Sequence, residues 1–234
     1  MLREIGISAD SRIAERFRGG FVREFESEAS CIAELYLFLI RDKVKTDKTR
    51  KVLLFFTDLQ TGPPPEVRPI RCLWPFDFSD YIAADAREKK QRVLDALHAG
   101  MLWLAENCGW APQPLEDAYV EAVARDLTLK ASLKKTWPSP DRRYRVRVDF
   151  RFDIDAVYLD AVLTKYHGSQ EVARLKLGKA RPYRGCMFDY GAEGEWTAPT
   201  VFELRSTSFI KEKWTVDFSN AIAGDAYGSQ NDAR

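Results

Sequence analysis

Charged and apolar residues alternate without a break in Arg143-Tyr-Arg-Val-Arg-Val-Asp-Phe-Arg-Phe-Asp-Ile-Asp155. A period of two residues puts the charged side chains on one face of a β-strand and the apolar ones on the other. A helix could not sort them in this way, because successive helical residues are rotated by about 100°. At about 3.4 Å per residue the run spans roughly 40 Å, which predicts a long strand in a large, twisted and mostly antiparallel sheet.

The alternation changes parity just after this strand, since the apolar residues of 157–163 take the opposite positions. A bulge or tight corner over 154–156 would shift the register by one residue in this way. The next strand then begins at residue 157 and pairs through a hairpin with 171–178. A short helix over 155–166 is the competing interpretation. Further strands are predicted at 183–190, 200–206 and 209–218.

The first part of the chain also alternates. Phe21–Ile40 holds Ala, Cys and Leu at one parity and Glu and Ser at the other, so we predict a strand that becomes apolar on both faces towards its end. A basic connection over 41–51 leads to Val52–Thr57, which is predicted to pair antiparallel with it. After the proline run at 61–65, residues 66–74 are predicted as an edge strand.

Two helices are predicted in the middle of the chain. Residues 79–108 have apolar side chains three and four positions apart, and Gly109 follows where a helix-ending glycine belongs. A second helix is predicted over 115–135, ending before Trp137-Pro138. The sequence therefore predicts an α+β fold in which an antiparallel αα-hairpin, residues 79–108 and 115–135, packs against the large sheet.

Length and composition set the class of protein. The chain has 234 residues, 45% of them hydrophobic and 30% charged, which is ordinary for a globular protein. We predict one domain over residues 1–218 and a flexible tail over 219–234, which is rich in Ala, Gly, Ser, Asn and Asp. The net charge is only +1; dedicated nucleic-acid-binding domains are usually clearly basic, so nucleic acid is not the expected partner.

The cysteines and the apolar runs indicate the compartment. The four cysteines are widely scattered, without the CxxC spacing of zinc or redox sites. The start of the chain lacks the apolar region of a signal peptide, and no run approaches the 18 apolar residues of a membrane span. We therefore expect a cytoplasmic protein with free thiols, without a membrane association.

The charged face of the central stretch is the first candidate site. Arg143, Arg145, Arg147 and Arg151 would lie about 7 Å apart along it, a row that can grip phosphates or carboxylates. The alternatives are a solvated face with cross-strand ion pairs, an acidic protein partner, or a nucleic acid.

Aspartates on the same stretch are the second candidate. Asp149, Asp153 and Asp155 share the predicted face and could bind Mg²⁺ in a metal-dependent nuclease or phosphotransfer enzyme. Arg151 lies among them and would compete with a cation. The sequence also lacks a nucleophile–histidine constellation and a glycine-rich phosphate loop. We therefore expect a protein that is not an enzyme and that holds neither metal nor cofactor.

Tryptophans supply the third candidate. Trp74, Trp110, Trp137 and Trp196 lie in proline-rich connections, where exposed rings often anchor protein interfaces. The alternative is that these rings fix their loops to the core.

The helical stretch Arg92-Val-Leu-Asp-Ala-Leu-His-Ala-Gly-Met-Leu-Trp-Leu-Ala-Glu-Asn-Cys-Gly-Trp110, followed by Leu115-Glu-Asp-Ala-Tyr119, resembles segments of bacterial immunity-type proteins over residues 92–133. Those are small cytoplasmic α+β proteins that neutralise a toxin by binding it. The resemblance implies a toxin inhibitor that acts by occlusion, and it transfers no functional residue. Such inhibitors are often acidic, whereas this chain is nearly neutral.

Overall fold

A computed structural model describes residues 2–17, 20–46, 48–57, 70–182, 192–206 and 211–231. The fold is α+β, with mostly antiparallel strand pairing. The described residues form two compact units. The first holds the chain up to Leu129 together with Asp153–Asp155 and Pro182, and the second holds the remainder from Lys130 onward.

The first unit contains a parallel sheet of three strands in the order β1-β2-β3. Its strands are β1 (Glu4–Ala9), β2 (Lys51–Thr57) and β3 (Ile70–Pro75). Its helices are α1 (Ser11–Ala14), α2 (Phe21–Ile40), α3 (Phe78–Ala83), α4 (Ala86–Cys108) and α5 (Gln113–Ala124). Helix α2 packs on β1 and α4 on β3, so the core lies between these helices and one face of the sheet.

The strand predicted over Phe21–Ile40 was wrong, because this segment is helix α2. Its buried residues Phe25, Ala29, Ile32 and Tyr36 follow the helical spacing of three and four. The alternation seen between residues 29 and 35 arose because nearly every side chain in that part of α2 is buried. The pairing of β2 was wrong as well: β2 is parallel to β1, and α2 lies in the connection between them.

The single helix predicted over 79–108 is two helices in the structure, α3 and α4. Asp85 interrupts it and caps α4 by accepting a hydrogen bond from the Glu88 N–H. Gly109 ends α4 in the left-handed conformation, with a φ of 69°, as predicted.

The second predicted helix is shorter than expected, since α5 ends at Ala124. Asp126 and Leu127 have φ angles of 51° and 53°, which no helix continues. Residues predicted to be helical up to 135 instead belong to strand β4 (Leu129–Pro138). Helices α4 and α5 contact each other and α2 in the first unit.

The second unit contains two antiparallel sheets, where the sequence predicted one large sheet. The first has the order β4-β5-β6-β7, with β5 (Tyr144–Phe152), β6 (Val157–Lys165) and β7 (Glu171–Ala180). The second has the order β10-β9-β8, with β8 (Ala192–Trp196), β9 (Val201–Ser206) and β10 (Lys213–Asp217).

Most of the strand predictions here are confirmed. The predicted parity change falls at the corner between β5 and β6, and 157–165 is a strand rather than a helix. The strand predicted at 183–190 lies outside the described residues. Residues 219–231, predicted as a flexible tail, form helix α6 (Ser219–Asn231). The two units also differ from the single domain predicted over 1–218, and no composition change marks their boundary at Leu129.

None of the helices in the described part of the chain is long and apolar enough to cross a membrane.

Candidate binding face on the four-stranded sheet

Strand β5 divides its side chains between core and surface as its sequence predicts. The side chains of Tyr144, Val146, Val148, Phe150 and Phe152 are all at least 97% buried. The charged residues between them are half-buried and point to the other face. This outer face of the β4–β7 sheet is the candidate site.

Neighbouring strands bring further charged residues to this face in two rows. In one row, Asp149 on β5 is paired with Asp160 on β6, which is paired with Lys176 on β7. In the next row, Arg151 on β5 is paired with Tyr158 on β6, which is paired with Lys179 on β7. The face is therefore a mixed surface on which cations and carboxylates are interleaved.

Asp149 is held by three side chains. Arg147 Nε donates to its carboxylate at 2.7 Å, Arg174 Nη2 lies 2.9 Å away, and the Ser132 hydroxyl donates at 2.6 Å. Burial opposes its ionisation, but the hydrogen bonds from Arg147, Ser132 and Arg174 outweigh burial and lower the pKa of Asp149. Arg174 also reaches Asp160 at 3.8 Å, so it offsets the repulsion between two carboxylates on directly opposed residues.

The face forms an open depression of about 780 Å³. Its lining contains five basic residues, Lys130, Arg151, Arg174, Lys176 and Lys179. It contains two acidic residues, Asp149 and Asp160, so the lining carries a net charge of +3. Within the described parts of the chain, none of the three lysines has a carboxylate at ion-pair distance. Their charges remain available to a partner.

Two cations lie against the one tyrosine of the lining. The Arg151 guanidinium is 4.1 Å from the centroid of the Tyr158 ring, and the Lys179 ammonium is 4.6 Å from it. A cation at this distance is attracted by the ring quadrupole. The Tyr158 ring on β6 therefore has two positively charged side chains close to it, one from β5 and one from β7.

The arginine stripe, the predicted row of Arg143, Arg145, Arg147 and Arg151, lies only partly at this site. Arg143 precedes β5 and lies 5.5 Å from the Tyr144 ring centroid. Arg145 lies 5.0 Å from the Tyr166 ring centroid and donates to the Tyr166 carbonyl. Arg147 lies beside the depression through its ion pair with Asp149, and only Arg151 of the four lines it.

Sequence reasoning missed most of the lining: Lys130, Tyr158, Arg174, Lys176 and Lys179. The predicted hairpin of 157–165 with 171–178 was the signal that could have found three of them, Tyr158, Arg174 and Lys176, since it already placed the basic residues of 171–178 beside β6.

Of the four tryptophans expected to anchor a partner, Trp110 and Trp137 are buried, whereas Trp74 and Trp196 are half-buried. In the first unit, Trp74 on β3 lies 6.1 Å from the Trp103 ring, and Trp110 is 7% exposed. In the second unit, Trp137 is 5% exposed and its carbonyl accepts a hydrogen bond from the Trp196 indole. The buried rings of Trp110 and Trp137 therefore pack in the cores of their own units.

Two of the three aspartates considered as metal ligands, Asp149 and Asp153, pair with cations within their own units. Asp149 is engaged by Arg147 and Arg174, whereas Asp153 belongs to the first unit, where Lys90 Nζ lies 3.0 Å from it. Across the described residues, no three His, Cys, Asp or Glu side chains are placed to hold a metal ion.

The described histidine on α4 is hydrogen-bonded, and the described cysteines are not in disulfides. His98 lies between the Tyr36 hydroxyl, at 2.9 Å, and Glu116, at 3.2 Å. Cys31, Cys72 and Cys108 are free thiols.

No protein-family model, curated protein or solved structure matches this chain.

Proposed function

We propose that the protein is a non-catalytic binding protein that engages an acidic surface of a protein partner through the depression on β4–β7. One observation carries the proposal: the lining has a net charge of +3, and three of its lysines have no ion pair among the described residues. Complementary charge across an interface accelerates association and selects the partner.

In its most concrete form, the proposal is an immunity-type inhibitor that acts in the cytoplasm and blocks a bacterial toxin by occlusion. The resemblance of residues 92–133 to immunity-type proteins supports this form. The engagement of Asp149 by two arginines also supports binding rather than metal-dependent catalysis, because an arginine-paired carboxylate is a poor metal ligand.

A nucleic acid is the other polyanion that a basic face could take. Asp149 and Asp160 lie within the lining, where they would repel a phosphate backbone. Strong non-specific binding also requires many phosphate contacts, whereas the excess charge here is small. We therefore favour a protein partner.

The test is co-expression of the chain with the toxin-like domain of a secreted protein encoded beside its gene. The domain alone should arrest growth, and the chain should restore growth and purify with it in a stoichiometric complex. A complex without toxicity would retain the binding function and reject the toxin. Growth arrest without rescue or complex formation would reject the proposal.

A further inference from the structure

A β-bulge in β7 determines which residues reach the candidate face. Leu159 on β6 is paired with Gly178, but the next residue, Asp160, is paired with Lys176. Leu177 is therefore the extra residue of the bulge. Without it, alternation from Lys176 would place Gly178 outward and Lys179 inward.

The burial of β7 follows the bulge. Lys176 and Lys179 are both exposed, whereas Leu177 and Ala180 are buried. The bulge thus places two lysines on the same face, opposite Asp160 and Tyr158 respectively. Bulges often re-aim side chains at functional sites in this way.

Trp214 of β10 holds the bulge from the other sheet of the same unit. A Cβ atom at Gly178 would lie 2.3 Å from Trp214 Cδ1, so only glycine leaves room for the indole. The indole N–H donates to the Lys179 carbonyl at 3.1 Å. This contact fixes the backbone that carries Lys179.

The chemistry of the row selects the kind of anion. Arg151 and Lys179 already lie against the Tyr158 ring, so the ring is a poor platform for stacking a nucleic-acid base. Asp160, between Tyr158 and Lys176 in the lining, disfavours a continuous chain of phosphates. Separate carboxylates, about 7 Å apart on alternate residues of an extended chain, can meet Lys176 and Lys179 with an uncharged residue between them.

We propose that Arg151, Lys176 and Lys179 form a carboxylate-binding subsite for an extended acidic segment of a protein partner. Trp214 and Gly178 are its positioning residues. This inference rests on the proposed function. It adds the chemistry by which the face would recognise the partner.

The test is a titration of the full chain with a peptide of alternating serine and glutamate, followed by ¹H–¹⁵N NMR. The backbone amides of 176–179 and the indole N–H of Trp214, assigned with Trp214→Phe, should shift. Lys179→Gln should weaken binding about threefold, and Lys134→Gln, outside the lining, should leave it unchanged. Gly178→Ala should weaken binding without changing charge, because its Cβ displaces the Trp214 ring.

Two control ligands complete the experiment: the matching serine–glutamine peptide and an oligothymidylate of equal charge. Tighter binding of the oligothymidylate, shifts elsewhere on the protein, or equal binding of the uncharged peptide would each overturn the subsite. The results distinguish failure of the subsite from failure of the proposed function. Loss of the peptide site with an intact partner complex rejects the subsite alone, whereas peptide binding without any partner complex rejects the proposed function alone.

Discussion

The guanidinium of Arg151 lies 4.1 Å from the ring centroid of Tyr158, its directly opposed neighbour on the adjacent strand. Lys179, opposed to Tyr158 on the other side, lies 4.6 Å from the same ring. A row of three residues across three strands therefore concentrates positive charge on a sheet face that also carries Asp149 and Asp160. The proposed binding function depends on this row.

The Arg151–Tyr158 contact should be measurable as a coupling energy. In a double-mutant cycle with Arg151→Leu and Tyr158→Leu, urea unfolding should give a coupling of about 0.5–1 kcal/mol, as expected for a cation–π pair at a partly exposed site. Lys134 lies on β4 outside the depression, so the cycle of Lys134→Leu with Tyr158→Leu should give none. Equal coupling in both cycles would contradict the contact.

Asp149 should contribute stability that depends on pH. Its pKa in the folded protein is lowered below the unfolded value of about 3.9, so its contribution is present above about pH 4 and is lost as pH falls through the folded-state pKa. Asp149→Asn should lower the free energy of unfolding at pH 7 by about 1–2 kcal/mol. It should also flatten the loss of stability between about pH 5 and pH 2.

Chemical denaturation at a series of pH values provides the measurement. Ser132→Ala, which removes one of the three hydrogen bonds to Asp149, should fall between wild type and Asp149→Asn. Parallel pH profiles for all three proteins would argue against the network around Asp149.

Lys90 and Asp153 form an ion pair in the first unit, with side chains 9% and 19% exposed. Lys90→Met retains the length of the side chain but leaves Asp153 without this cation, and should destabilise the protein by about 3 kcal/mol. Adding Asp153→Asn should recover part of the loss, since the poorly solvated charge is then removed. Thermal and urea unfolding test this; a double variant as unstable as the sum of the single ones would show that the pair is not coupled.

Buried thiols should be unreactive in the folded protein. Burial raises the pKa of Cys31 to about 12 and that of Cys72 to about 11, so both remain protonated at pH 8, and the thiolate is the reactive form. In variants that retain one cysteine each, Cys31 and Cys72 should react with DTNB only as the protein unfolds. Cys108, which is half-buried, should react faster, and rapid reaction of Cys31 in the native protein would contradict its place in α2.

The hairpin of β5 and β6 was predictable because its alternation is long and its parity changes at one point. Helix α2 was not, because residues 29–36 are nearly all buried and alternation within a fully buried segment carries no information about period. The early end of α5 escaped prediction for a different reason: the left-handed backbone at Asp126 and Leu127 has no glycine to announce it.

The candidate site was predictable only in part. Arg151 belongs to the recognised stripe, but its row partners Tyr158 and Lys179 lie on other strands and depend on register. The bulge at Leu177 reverses the parity of β7, so simple alternation from Lys176 would have put Lys179 in the core. Burial of Trp110 and Trp137 likewise depends on tertiary packing, which proline-rich flanks do not reveal.

Charge reversal in the depression, followed by measurement of the affinity for the co-purified partner, tests the binding site most directly. Lys176→Glu with Lys179→Glu should weaken binding by about tenfold or more and reduce its dependence on salt. Lys134→Glu with Lys211→Glu makes the same change in net charge outside the depression, and should alter affinity by less than about twofold. Equal losses in the two double variants, or no loss in the first, would contradict the assignment of the depression as the binding site.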